Sequence, residues 1–223
     1  MSNMGWDTLT IDMQHGQNEY LSSIPMLQGI SNGSSMPFVR VPSLDSGIIV
    51  KMLDAGAVGI IAPMINNKND CEKFVSICHY PPIGERSFGP ARSIETYGQD
   101  YYKYANSQII TLAMIETEEA MKNLDSILSV KNLTGVYIGP SDMSISYGLN
   151  PKFDVLEEPV YSNIKLVAKK AKKYGKVAGI HNGSIEYAKK MINFGYRFVT
   201  VSSDYRGMVN YNQNIIRKLK NTK

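Results

Sequence analysis

At 223 residues and 43% hydrophobic composition, the chain can bury one sizeable core and reads as a single domain, 1–223. Its formal charge of +4 arises from 24 basic against 20 acidic residues. The densest basic stretch, 165–176, lies in a helix-like segment with no aromatic ladder and no binding motif, so it reads as a solvated helix face and no nucleic-acid partner is expected.

The chain starts MSNMGWDTL, without the basic and apolar regions of a secretory signal. Short apolar runs follow at 8–13, 37–41, 58–63, 109–115, 135–138, 176–180 and 197–202. Each is a continuous β-rich run, the pattern of strands covered on both faces in a parallel sheet. Amphipathic stretches alternate with them at 20–30, 46–55, 70–79, 117–130, 159–174, 185–194 and 205–220. Cys71 and Cys78 stand seven apart on the 70–79 stretch, which suits two small apolar residues on one side of a helix. With no CxxC and no histidine at ligand spacing, neither a disulfide framework nor a zinc site is expected, and a reducing, cytoplasmic setting fits. No apolar run approaches the ~20 residues that cross a bilayer, so no membrane partner is expected.

This order is a βα unit repeated, joined by right-handed crossovers. An open doubly wound sheet would carry a glycine-rich phosphate turn after an early strand, and none is present. The expected fold is therefore α/β, a (β/α)8 TIM-type barrel. Seven units can be counted where such a barrel has eight, so one is missing.

Segment 81–108, PPIGERSFGPARSIETYGQDYYKYANSQ, is longer than the ~2–6 residues of an ordinary αβ connection. It follows a helix and precedes a strand, which puts it on the face opposite the strands' C-terminal ends. Its cluster of Tyr97, Tyr101, Tyr102 and Tyr104, with Arg86 and Arg92, reads as an oligomer contact in preference to a small helix packed under its own barrel.

Active sites of parallel barrels form where the strands end. In chain order those ends carry Asp12 and His15 (TIDMQHG), Arg40 (VRVP), Glu116 (AMIE), Asp142 (YIGPSD) and His181 (GIHN). Each also has a purely structural reading. Asp12 suits an Asx-turn, Arg40 a buried ion pair, Glu116 the positive end of a helix and Asp142 a turn cap. Such groups at the ends of five separate strands nonetheless point to one site.

Two carboxylates without cysteine or a second nearby histidine form a hard, oxygen-rich site suited to Mg²⁺, Mn²⁺ or Co²⁺. A 2-oxo acid would complete it as a chelate, with Arg40 binding a carboxylate oxygen or a developing enolate. Asp12 orienting His15 would fix an imidazole for proton transfer. No predicted strand ends in lysine, which favours metal-enolate chemistry over a Schiff base.

The stretches GWDTLTIDMQHG, VRVP, MLDAGAVGIIAPMINN, YPPIGERSFGPAR, AMIETEEAMKNLDSIL and GVYIGPSDMSISYG, in this order, resemble the HpcH/HpaI aldolase family of class II pyruvate aldolases. GIHNGS and FVTVSSD add a weaker likeness. The resemblance implies a divalent-metal-dependent lyase that reversibly cleaves a 4-hydroxy-2-oxo acid, such as 4-hydroxy-2-oxoheptanedioate or a 2-keto-3-deoxy sugar acid, to pyruvate and an aldehyde. It implies Glu116 and Asp142 as metal ligands, His15 with Asp12 as the acid/base dyad, and Arg40 as the arginine that holds pyruvate. Gly139, Pro140 and Ser141 match the backbone turn against the substrate carboxylate, and Met114 stands where some members carry a glutamine near the metal.

The resemblance also implies a homo-oligomer, typically a hexamer, whose last helix packs on a neighbouring subunit. Family members usually carry a further βα unit before GWDTLTIDMQHG, which places the uncounted unit first and predicts lower stability and activity than in an upstream-extended chain. The competing readings are a citrate-lyase-like or malyl-CoA-lyase-like enzyme acting on acyl-CoA thioesters, and a truncated, non-catalytic member of the family.

Overall fold

A strand covered on both faces needs apolar side chains at successive positions, and the runs TLTID, MPFVR, GIIA, ITLAMI, GVYI, VAGIHN and FVTV supply them. The computed structural model describes residues 1–221. In it these runs form β1 (Thr8–Asp12), β2 (Met36–Arg40), β3 (Gly59–Ala62), β4 (Ile110–Ile115), β5 (Gly135–Ile138), β6 (Val177–Asn182) and β7 (Phe198–Val201). Every neighbouring pair is parallel and the spatial order follows the chain order, as in the wall of a TIM-type barrel. β1 and β7 are the two edges of this seven-stranded sheet, and all four residues of β7 are only half-buried.

The helices are α1 (Tyr20–Ser31), α2 (Ser46–Asp54), α3 (Lys68–Cys78), α4 (Ala91–Tyr97), α5 (Tyr101–Gln108), α6 (Glu118–Lys122), α7 (Leu124–Leu128), α8 (Pro140–Ser146), α9 (Val160–Lys173), α10 (Ile185–Phe194) and α11 (Asp204–Lys220). Side-chain caps start five of them. Asp45, Asn67, Thr117, Ser184 and Ser203 each accept from a backbone N–H three residues on. No helix among the described residues is long and apolar enough to cross a membrane.

Strand alternation sorts the core into two. Inward-facing Phe38, Ile61, Leu112, Met114 and Tyr137 fill the barrel, while outward-facing residues such as Ile11, Val39, Ile60, Ala113 and Ile138 join the larger cluster under the helices. Cys71 and Cys78 are both free and fully buried in that outer cluster, where burial pushes the Cys71 thiol up to about 12.

Three local expectations are corrected. The 117–130 stretch is two short helices, because Asn123 ends α6, starts α7 and turns its side-chain N–H onto the Asn66 carbonyl at 2.9 Å. A helix not foreseen, α8, starts directly after β5 with Pro140 at its first position, where a missing N–H costs nothing.

The third correction concerns 81–108. Read from sequence as an oligomer contact, its cluster instead closes the underside of its own barrel. Arg86, with a 0% exposed side chain, pairs with Asp54 at 2.7 Å and lies over the Tyr80 ring. Ser93 and Tyr97 donate to the Leu53 and Gly56 carbonyls at 2.6 and 2.7 Å, and Arg92 donates to that of Ala55. Tyr101 is buried, and only Tyr102 among these tyrosines is largely exposed, at 49%. The groups that α2's C-terminal end leaves unsatisfied are what draw these donors in.

Candidate active site

Asp12 and Arg40 are the last residues of β1 and β2 and are direct register partners, so both side chains face the barrel mouth side by side. Arg40 grips Asp12 with two donors, Nε to Oδ1 at 2.9 Å and Nη2 to Oδ2 at 2.5 Å. Oδ1 also accepts from the backbone N–H groups of Gln14 and His15, at 3.0 and 3.2 Å, closing an Asx-type turn. A Cβ on Gly16 would fall 2.2 Å from the Asp12 carbonyl, so this tight turn requires glycine there. Burial works against the Asp12 charge, but Arg40 and the two amides outweigh it and hold the carboxyl below its ordinary value.

Asp12 therefore meets His15 at the backbone and not at the ring, and the His15 side chain stands exposed just beyond. The expected dyad is corrected to this extent: what Asp12 orients directly is Arg40. The Asx-turn and the ion pair are both real, and they leave Arg40 Nη1 without a protein partner among the described residues.

Glu116 follows β4 and is only 1% exposed. Its Oε1 accepts from the Met64 backbone N–H at 2.7 Å, while Oε2 is buried with no hydrogen-bond partner. Burial first, and then the neighbouring Asp142, push its carboxyl up to about 7 against the pull of Met64 and Arg40. Asp142, half-buried, is the third residue of α8, beyond the Gly139–Pro140 turn. A Cβ on Gly139 would lie 2.5 Å from Glu116 Oε2 and 3.0 Å from the Met114 methyl, so only glycine keeps the space beside that oxygen open. Met114 is fully buried in the barrel interior, and Ser141 donates its hydroxyl to the Lys152 carbonyl at 3.2 Å.

Met64 escaped the sequence reading. It adopts a left-handed φ of 56°, rare for a non-glycine residue, and this turn aims its amide at Glu116. Asn66 ties the same loop to the start of α6 by accepting from the Thr117 hydroxyl at 2.5 Å. Nothing in the string PMINN announces a backbone donor; only its place after a strand could have drawn attention.

His181 occupies an inward position on β6, with Nδ1 3.0 Å from Thr200 Oγ1 and its ring edge-on to Phe153. Burial, then Arg40 and Arg206, push it down to about 4. The fold thus brings Asp12, Arg40, Glu116, Asp142 and His181 to one end of the barrel and leaves the His15 ring at the rim.

Two carboxylates, one carrying a free buried oxygen, are the donors available to a hard cation; no group of three or more His, Cys, Asp or Glu side chains that could hold a metal occurs among the described residues. Most coordination positions would be left to water and an oxygen-bearing substrate. Next to them stands an arginine whose other donors are pinned, an arrangement able to hold a small carboxylate and stabilise developing negative charge.

The chain is similar to known proteins over most of its length. A hydroxypyruvate/pyruvate aldolase from Rhizorhabdus wittichii is 42% identical over 204 residues, spanning 92% of this chain and 81% of that protein. A 4-hydroxy-2-oxo-heptane-1,7-dioate aldolase from Shigella flexneri is 35% identical over 205 residues, spanning 90% of this chain and 75% of that protein. The crystal structure of an HpcH/HpaI aldolase/citrate lyase family protein from Burkholderia cenocepacia J2315 superposes with a TM-score of 0.90 at 25% identity, covering 98% of this chain and 88% of that one. The family model for HpcH/HpaI aldolase/citrate lyase matches residues 1–210, and the chain belongs to that family.

Proposed function

We propose that this chain is a divalent-metal-dependent aldolase that reversibly cleaves a 4-hydroxy-2-oxo acid to pyruvate and an aldehyde. The observation that carries this reading is Glu116 Oε2, a buried carboxylate oxygen with no partner, facing space that Gly139 keeps open beside Asp142. An unpaired buried acceptor is costly unless something binds it. Glu116 and Asp142 would hold Mg²⁺, Mn²⁺ or Co²⁺, and the ion would supply Lewis-acid polarisation of the 2-oxo group. The names of the relatives, pyruvate and 4-hydroxy-2-oxo acid aldolases, support the substrate class.

The chain's own residues do the rest. The free Nη1 of Arg40, its guanidinium locked by Asp12, donates to the pyruvate moiety and stabilises the enolate as the C3–C4 bond breaks. The Gly139–Ser141 turn lies against the substrate carboxylate, and Met114 supplies an apolar floor. His15, exposed at the rim and acting through a bound water, takes the proton of the 4-hydroxyl in cleavage and returns it in condensation.

A homo-oligomer belongs to the same reading. None of α11's residues is buried on its own chain, yet it displays Met208, Tyr211, Ile215 and Leu219 at helical spacing, an apolar stripe for a second copy. Pyruvate release from a panel of 4-hydroxy-2-oxo acids, with and without a chelator, tests the function. Release that stops on chelation and returns with added metal is expected. Chelator-resistant release, or cleavage of acyl-CoA thioesters alone, overturns it.

A further inference from the structure

The proposed reaction uses β1, β2, β4 and β5, and it leaves one wall of the barrel mouth without a task. On that wall Tyr137, His181 and Thr200 all face inward, from β5, β6 and β7, and His181 and Thr200 are register partners. Thr200 Oγ1 lies 2.5 Å from Tyr137 Oη and 3.0 Å from His181 Nδ1, while Tyr137 Oη is 3.5 Å from the same Nδ1.

One arrangement gives every hydroxyl proton of this triad a partner within the triad. Tyr137 is buried, so its hydroxyl proton needs an acceptor, and Thr200 Oγ1 is the close one. The Thr200 proton then goes to His181 Nδ1, which in this arrangement is the unprotonated nitrogen. Reversing the chain would leave the Tyr137 proton with only the 3.5 Å approach to a nitrogen already protonated. The imidazole accordingly carries its single proton on Nε2, which has no hydrogen-bond partner among the described residues.

Its surroundings keep the ring fixed and neutral. Phe153 packs edge-on to it with centroids 4.7 Å apart, and the Arg206 guanidinium sits 4.5 Å from the Phe153 ring centroid. The charges that face His181 are Arg40 and Arg206, which oppose a second proton, and Asp12 and Asp154, which favour one. Burial and the two arginines prevail. Arg40 and Asp12 acting on this ring also place it on the same mouth as their ion pair.

We propose that His181 is a specificity-determining residue whose Nε2–H donates to an oxygen on the aldehyde-derived half of the substrate, so that the enzyme prefers aldehydes bearing a hydroxyl next to the carbonyl. The inference rests on the aldolase reading above. The pyruvate half is taken by Arg40, Glu116 and Asp142 on β2, β4 and the β5 turn, and the proton-transfer group His15 follows β1. The carbons beyond the 4-hydroxyl are left with the β6–β7 wall, where a neutral donor beside an aromatic ring suits an uncharged hydroxyl oxygen.

Condensation of pyruvate with glycolaldehyde and with acetaldehyde, each as kcat/KM, tests it in the wild type, His181→Leu, His181→Gln and Thr200→Val. The wild type should favour glycolaldehyde by roughly tenfold, the size of one well-placed neutral hydrogen bond. H181L should bring the ratio near one, chiefly through KM for glycolaldehyde. H181Q, which keeps an N–H donor, should restore most of the preference, and T200V, which releases the tautomer, should fall between. An unchanged ratio in H181L, or an equal loss on both aldehydes, overturns the proposal. Absence of condensation with either aldehyde in the wild type would instead defeat the aldolase reading itself.

Discussion

Arg40 and Asp12 face each other across the β1–β2 register, and both oxygens of the carboxylate are engaged by the guanidinium. Asp12 reaches His15 only through the backbone, so its loss should act through Arg40. In turnover, Asp12→Ala combined with Arg40→Ala should cost little more than Arg40→Ala alone, whereas Asp12→Ala and His15→Ala should add. The opposite pattern of coupling would return Asp12 to the role of orienting the imidazole. His15→Ala alone should lower turnover by ~10²-fold or more, with little effect on unfolding because the side chain is exposed.

Gly139→Ala separates chemistry from folding. The added methyl meets the end of the Glu116 side chain at 2.5 Å, and the backbone there, at φ −96°, tolerates alanine. Glu116 must swing away from the space it shares with Asp142. Turnover should fall by about 10²-fold while the free energy of urea unfolding changes by less than about 1 kcal/mol. Parallel loss of both would mean that Gly139 is needed for the fold and not for the site.

The sequence shows the barrel readily because the inner strands are covered on both faces and each strand announces itself as an apolar run. It also shows most of the candidate site, since Asp12, Arg40, Glu116 and Asp142 stand where those runs stop. Met64 stayed hidden because it contributes a main-chain amide through an unusual φ, which its side chain does not signal. The Tyr137–Thr200–His181 chain stayed hidden because it forms between strands far apart in sequence. Tyrosines and arginines in 81–108 misled for a related reason: an amphipathic ring can face a partner or its own barrel, and only the carbonyls of Leu53, Ala55 and Gly56 decide which.

Arg86→Ala tests that last assignment. Removing a fully buried guanidinium leaves Asp54 uncompensated, and should destabilise the chain by about 3 kcal/mol in urea unfolding. The loss should be the same at low and high protein concentration. A loss that grows on dilution would place the cluster at an interface between copies.

Glu116 should leave a signature in the metal-free protein. Its carboxyl is pushed up to about 7 in the fold from an ordinary 4.5, so between these values the unfolded chain has released a proton that the folded chain retains. Stability relative to Glu116→Gln must therefore fall as pH rises from about 4.5 to about 7, by up to about 3 kcal/mol. Unfolding of both proteins in chelator across this range checks it, and parallel curves would contradict the buried, unpaired carboxylate.

The enolate chemistry itself is tested most directly by exchange of the pyruvate methyl protons in D₂O, followed by NMR without any aldehyde. The wild-type protein should exchange them with Mg²⁺, Mn²⁺ or Co²⁺ present, and the rate should fall by about 10²-fold or more on chelation and in Glu116→Gln. Exchange at an undiminished rate in chelator, or in Glu116→Gln with metal added, would contradict the assignment of Glu116 and Asp142 as the cation-binding pair of a pyruvate aldolase.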